Sequence, residues 1–184
     1  VAALLFLLLP VMDAPAQAPR SSGRNIPFPA LQLPAPLDEA EAAYLGVPEA
    51  TAFSVGQIRA QIVLIEIMSA YCPYCQRVAP LVDDVYGRIQ EDQALKGKIK
   101  IIGVGITNSP YELDLFKTKF NVPFPLFADP KSEIAKKLNV EGTPTFIGVR
   151  LDDKGGAREV FYWPGAFMDT DQFMAELGKA TGLK

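Results

Sequence analysis

Ile62-Val63-Leu64-Ile65-Glu66-Ile67-Met68-Ser69-Ala70-Tyr71-Cys72-Pro73-Tyr74-Cys75-Gln76-Arg77-Val78-Ala79-Pro80 is the stretch on which the fold turns. Its first seven residues are apolar except for Glu66, which predicts a central strand buried on both faces. Val78, Leu81, Val82, Val85 and Ile89 then recur at helical spacing, so a helix follows. Cys72 and Cys75 sit at the junction, and the chain of 184 residues has no other cysteine. Backbone N–H groups in a first helical turn lack partners and favour negative charge. A thiolate at Cys72 is stabilised there, below the free-thiol pKa of about 8.5. Cys75, one turn inward, is placed to attack a mixed disulfide on Cys72 and release the product. Pro73 suits the first turn, because the N–H it lacks would be unpaired anyway. Tyr71 and Tyr74 flank the pair as an apolar landing surface.

Other uses of two such cysteines fare less well. A structural zinc site needs four ligands, and two cysteines with no histidine do not close one within a single chain. Covalent haem attachment needs histidine where Gln76 stands. A bridge across so short a loop removes little unfolded-chain entropy, which weakens a purely structural role. An inert disulfide and a metal shared between chains stay open beside the redox reading. No resident cofactor is expected, only a redox-active Cys72–Cys75 disulfide, and no metal.

Composition points to a globular domain, with 49% hydrophobic and 21% charged residues. The net charge of -3 and the absence of a basic stripe argue against a nucleic-acid partner. Lys96, Lys98, Lys100, Lys136 and Lys137 read as solvated surface. Val1 to Leu9 is a continuous apolar run ended by Pro10, with Ala16-Gln17-Ala18 following. This predicts a secretory signal peptide or an N-terminal membrane anchor over 1–18, its start truncated, since the chain opens on Val with no basic region. Asp13 to Leu37 holds six prolines among Ala and Ser. We therefore expect a Pro/Ala-rich linker or surface arm over 19–43 and one compact domain over 44–184.

Within the domain the pattern alternates. Phe53–Ile58 reads as a short edge strand and Ile99–Ile106 as an apolar strand. Ser109 caps a helix over Pro110–Phe120, with Glu112 three residues on. Pro125–Ala128 is a short strand and Ser132–Leu138 a short helix. Thr145–Leu151 and Arg158–Tyr162 form a hairpin across Asp152–Gly156, and Asp169 with Gln172 opens a last helix. Pro80 interrupts the helix that follows the cysteines and predicts a kink. The succession gives an α/β fold with a mixed sheet.

The segment Val63-Leu64-Ile65-Glu66 followed by Cys72-Pro73-Tyr74-Cys75-Gln76-Arg77-Val78-Ala79-Pro80 resembles the active-site region of thioredoxins, including the proline five residues after the second cysteine. Gly142-Thr143-Pro144-Thr145-Phe146 is similar to that family's cis-proline loop, and Gly165-Ala166 to the end of its final strand. The longer spacing from Cys75 to Pro144, filled by Pro110 to Ala128, resembles the insert of exported TlpA/ResA-type thiol–disulfide oxidoreductases. The resemblance implies a thioredoxin-like fold, a central mixed β-sheet flanked by helices with an inserted βα unit. It implies a cis Pro144 facing the cysteines and a Thr143 backbone that pairs with an extended substrate. It also implies a buried Glu66 with a raised pKa that takes the Cys75 proton. An ordinary trans Pro144, and a Glu66 reaching the sheet edge or pairing with a lysine, are the plainer readings. Phe161 and Trp163 read as packing.

The dipeptide between the cysteines is Pro-Tyr, as in glutaredoxins, and Tyr71 stands where thioredoxins carry tryptophan. Glutaredoxins lie at about -200 to -230 mV and thioredoxin at about -270 mV, so an intermediate poise is expected. No lone cysteine lies in a peroxiredoxin-like Pro-x-x-x-Thr-x-x-Cys setting, and no glutathione-site signature is clear. The expected activity is extracytoplasmic protein-disulfide reduction, periplasmic, secreted or anchored at the inner membrane. Exported disulfide-containing proteins, for example apocytochrome c during cytochrome c maturation, are the expected substrates, and a membrane electron-donor protein the reductant. Cys72, Cys75 and Glu66 are the expected catalytic residues; Thr143, Pro144, Tyr71, Pro73 and Tyr74 would contact substrate. A disulfide-introducing oxidant of the DsbA kind and a non-catalytic peptide-binding module are the alternatives.

Overall fold

The computed structural model describes residues 25–34, 38–49 and 51–183. The expected signal or anchor over 1–18 lies outside them. In chain order the elements are β1 (Ile26–Pro27), β2 (Gln32–Leu33), α1 (Glu39–Leu45), β3 (Phe53–Ser54), β4 (Ile62–Met68), α2 (Pro73–Glu91), β5 (Ile99–Ile106), α3 (Pro110–Phe120), β6 (Leu126–Asp129), α4 (Glu133–Lys137), β7 (Thr145–Leu151), β8 (Ala157–Pro164) and α5 (Thr170–Thr181). Six strands form one mixed sheet in the order β1-β8-β7-β4-β5-β6. β4 runs parallel to β5 and antiparallel to β7, and β5 runs parallel to β6. The strand that leads to the cysteines is therefore central, as its apolar run predicts, and every residue of it is buried.

Alternation along β4 divides the interior into two cores. Leu64 and Met68 join Cys75, Val78, Val82, Phe146 and Phe173 on the face covered by α2 and α5. Val63, Ile65 and Ile67 join Leu31, Leu33, Leu45, Phe53 and Phe127 on the other. Phe173 of α5 anchors the first core, stacked on Phe167 and edge-on to Phe146, Phe161 and Trp163. Phe161 and Trp163 are packing residues, as read.

The compact domain begins earlier than the expected boundary at Tyr44. β1 pairs with β8, and β2 pairs with β3. Phe28, Leu31, Leu33 and Ala42 are buried in the second core. The described part of the proline-rich segment is thus a covering layer rather than a linker. Its apolar residues are spaced by prolines at no regular period, which hides their burial in the sequence.

Phe53–Ile58 is also not a continuous strand. Only Phe53 and Ser54 pair, and Val55–Gln57 form a 3-10 turn in which Gln57 Oε1 accepts the Ser54 backbone N–H at 2.7 Å. Lys100, expected to be fully solvated, lies half-buried with Nζ 4.2 Å from the centre of the Tyr44 ring. Tyr44 in turn accepts the Ile101 N–H.

The α3–β6 unit lies where the resemblance puts an insert, between β5 and the proline loop. Ser109 caps α3, and Glu112 Oε2 accepts the Ser109 N–H at 2.7 Å. Gly105 lets α3 approach β5, because a Cβ there would collide with Leu113. Ser109→Ala is expected to cost about 1 kcal/mol, the usual value of a lost cap. Urea unfolding checks this: a midpoint unchanged from wild type would show that the cap contributes nothing.

Candidate active site

Cys72 is the N-cap residue of α2 and Pro73 occupies the first turn. The short loop before them is held from three sides. The Cys72 N–H donates to Ser69 O at 3.0 Å, the Ala70 N–H to Asn108 Oδ1 at 2.9 Å, and Gln76 Nε2 to Ala70 O at 2.8 Å. Tyr71 OH donates to Glu112 Oε1 of α3. These contacts fix the direction in which the α2 N-terminus presents the cysteines.

The proline loop completes the opposite wall. The Thr143–Pro144 bond is cis. Cys72 Sγ donates to Thr143 O at 3.3 Å, and the Gly165 N–H donates to Pro144 O at 2.8 Å. The loop is thereby joined to both the cysteine site and the end of β8. Thr143 thus meets Cys72 at the α2 N-terminus, while Pro144 itself is buried. Tyr71 and Tyr74 are exposed beside Cys72, with the Arg77 guanidinium 5.5 Å from the Tyr74 ring centre.

The two free thiols differ in setting. Cys72 is half-buried, which by itself raises its pKa. Hydrogen bonds from the Thr143 side chain, the backbone at Cys75 and Tyr74 and the Cys75 thiol outweigh that and hold it below the ordinary thiol value. Cys75 is buried, which pushes its pKa well up; a backbone hydrogen bond at Ser69 opposes the rise, and the negative charges of Glu66 and Cys72 add to it. One sulfur is therefore disposed to be thiolate and the other to hold its proton.

Glu66 lies on β4 between Leu64 and Met68, on the face that packs against α2. Burial pushes its carboxyl up to about 8, and the Cys72 charge adds to the rise. It is neither at the sheet edge nor in a surface ion pair. It is a buried acid beneath the dithiol, with a pKa matched to proton transfer near neutral pH.

The structure brings together Cys72, Cys75, Glu66, Thr143 and Pro144, with Tyr71, Pro73 and Tyr74 around them. Asn108 and Gln76, which fix the loop, were not singled out in the sequence. Gln76 reads there only as a non-histidine, and Asn108 follows Thr107 in what looks like a strand-to-helix connection. Glu112 reads only as a capping residue, and its second oxygen holds Tyr71.

A model of the AhpC/TSA family matches residues 28–168, which include the cysteines, the proline loop and the early segment outside the expected boundary. The chain belongs to the AhpC/TSA family. Among solved structures, it resembles a putative thiol:disulfide interchange protein DsbE from Chlorobium tepidum at 15% identity, covering 88% of this chain and 100% of that one, with a TM-score of 0.65. It resembles a secreted Mycobacterium tuberculosis disulfide oxidoreductase homologous to Escherichia coli DsbE at 18% identity, covering 71% and 90%, with a TM-score of 0.56. StoA from Bacillus subtilis matches at 19% identity, covering 70% and 90%, with a TM-score of 0.54. At these identities the likeness is one of fold, and the fold of this AhpC/TSA member is thioredoxin-like. No curated protein matches the sequence. Among the described residues, no helix is long and apolar enough to cross a membrane.

Proposed function

We propose that this protein is an extracytoplasmic thiol–disulfide oxidoreductase of the TlpA/ResA type that reduces disulfides in exported proteins. The observation that carries the reading is the asymmetry of the dithiol: an accessible Cys72 below the ordinary thiol pKa at a helix start, and a buried Cys75 above it, beside Glu66. The Cys72 thiolate attacks one sulfur of a substrate disulfide. A Cys72–substrate S–S bond forms, the substrate S–S bond breaks, and the departing thiolate takes a proton. Cys75 gives its proton to the Glu66 carboxylate, directly or through one water, and attacks Cys72 Sγ. The second substrate thiolate leaves, the substrate has gained two electrons, and Cys72–Cys75 is oxidised. During attack an extended substrate lies along Thr143 and Pro144, with Tyr71, Pro73 and Tyr74 against its other side.

The apolar run Val1 to Leu9 and the likeness to a secreted oxidoreductase support an extracytoplasmic site. The oxidised protein then needs a membrane electron-donor protein to restore it. Apocytochrome c fits as a substrate because its haem-binding cysteines must be reduced before attachment. The lowered Cys72 pKa also favours a second reading, a disulfide-introducing oxidant, since a stabilised thiolate makes a dithiol more oxidising.

The reduction potential of the pair separates the two. Equilibration with glutathione or dithiothreitol buffers should place it between about -200 and about -270 mV. A value near about -120 mV would reverse the direction of electron flow and make the protein a disulfide donor.

A further inference from the structure

Thr143 O meets Cys72 Sγ. A separate depression opens between the loop before Cys72 and α3. It has a volume of about 240 Å³ and is lined by Ala70, Tyr71, Gln76, Leu115, Phe116 and Phe120. The remaining lining groups are Glu112, whose oxygens hold Tyr71 OH and Ser109, and Lys119, whose Nζ lies 5.0 Å from the Phe120 ring centre. Leu115 is 53% exposed and Tyr111, one turn before it on α3, is 70% exposed. These are large apolar groups left to water on an otherwise polar helix surface, a pattern that marks an interaction site.

We propose that this α3-side depression is a specificity pocket for a large apolar side chain next to the attacked cysteine of a protein substrate. The proposal rests on the oxidoreductase reading and names its substrate class: disulfides flanked by aliphatic or aromatic residues. Three features select that occupant. Tyr71 lines this pocket and is the residue before Cys72, so a polypeptide bonded at Cys72 passes beside it. The volume is smaller than the roughly 300–1,000 Å³ of small-molecule sites and suits one side chain. The carboxylate on the lining has its oxygens engaged by Tyr71 and Ser109, and Lys119 on the same lining carries the opposite charge, so the pocket has no net charge to select a basic residue. The pocket adds no chemistry. It favours one register of the substrate in the exchange already described.

The test compares two peptide dimers, each joined by one cystine, that differ only in carrying leucine or serine beside the cysteine. The reduced protein is mixed with each, and the second-order rate of Cys72–Cys75 oxidation is followed by thiol alkylation and mass. The leucine dimer should react on the order of tenfold faster, the scale of discrimination an apolar pocket provides. Leu115→Glu and Leu115→Ala should bring that ratio towards one, and the exposure of Leu115 makes both variants safe for folding. Equal wild-type rates for the two dimers, or an unchanged ratio in both variants, would overturn the pocket while leaving the oxidoreductase reading intact. Failure of the wild-type protein to reduce either dimer, or 2-hydroxyethyl disulfide, would overturn both together.

Discussion

Cys72→Ser is expected to lose disulfide reduction, by a factor on the order of 10³ or more, whereas Cys75→Ser is expected to stop at the mixed disulfide. Loss of a covalent nucleophile costs up to about 10⁶ in other enzymes, and the serine hydroxyl is not ionised at a helix start as a thiolate is. Cys75→Ser keeps the Cys72 thiolate and the hydrogen bonds it accepts from the Thr143 side chain and the α2 backbone. Attack then proceeds, but no second sulfur releases the adduct. Insulin reduction with dithiothreitol as reductant measures the first effect, and mass spectrometry of non-reduced mixtures measures the second. A Cys72→Ser variant with wild-type turnover would show that Cys75 is the nucleophile, which its burial argues against. A Cys75→Ser variant that forms no adduct would show that Cys72 does not attack first.

The placement of the two cysteines was legible in the sequence because it depends on local spacing. A seven-residue apolar run, a cysteine pair and a helical period determine strand, junction and helix within one segment. The capping box at Ser109 and the hairpin across Asp152–Gly156 are equally local, and both occur as read. What was not legible depends on contacts between distant segments. Asn108 touches Ala70 across 38 residues and Glu112 touches Tyr71 across 41, and neither spacing leaves a periodic mark. The same holds for Phe28, Leu31 and Leu33. Prolines break every regular period around them, so their burial follows from the sheet edge and second core that they cover. Glu66 lies between these cases. Its oddity in an apolar run is visible, but which face it occupies follows only from the shared alternation with Leu64 and Met68 under α2.

Glu66→Gln is expected to stabilise the protein and to slow it. The folded-state pKa of about 8 lies above the ordinary carboxyl value of 4.5, so the native protein keeps a proton that the unfolded chain releases. Stability contributed by that proton is complete below about pH 4.5 and is lost as pH rises through about 8. The full difference of 3.5 units (8 minus 4.5) corresponds to about 5 kcal/mol at 1.36 kcal/mol per unit. Between pH 5 and pH 8.5 the reduced wild-type protein should therefore lose roughly 4 kcal/mol relative to Glu66→Gln, read by urea unfolding at each pH. Glutamine has the shape of the neutral acid and no proton to lose, so its own curve lacks this component. The same substitution removes the base for Cys75, and release of the mixed disulfide should slow on the order of 100-fold and lose its inflection near pH 8. Parallel stability curves for the two proteins would mean that Glu66 titrates normally and is not the desolvated acid described above. A more stable but slower variant would mean that the fold maintains a costly buried carboxyl under α2 because the second sulfur needs it there.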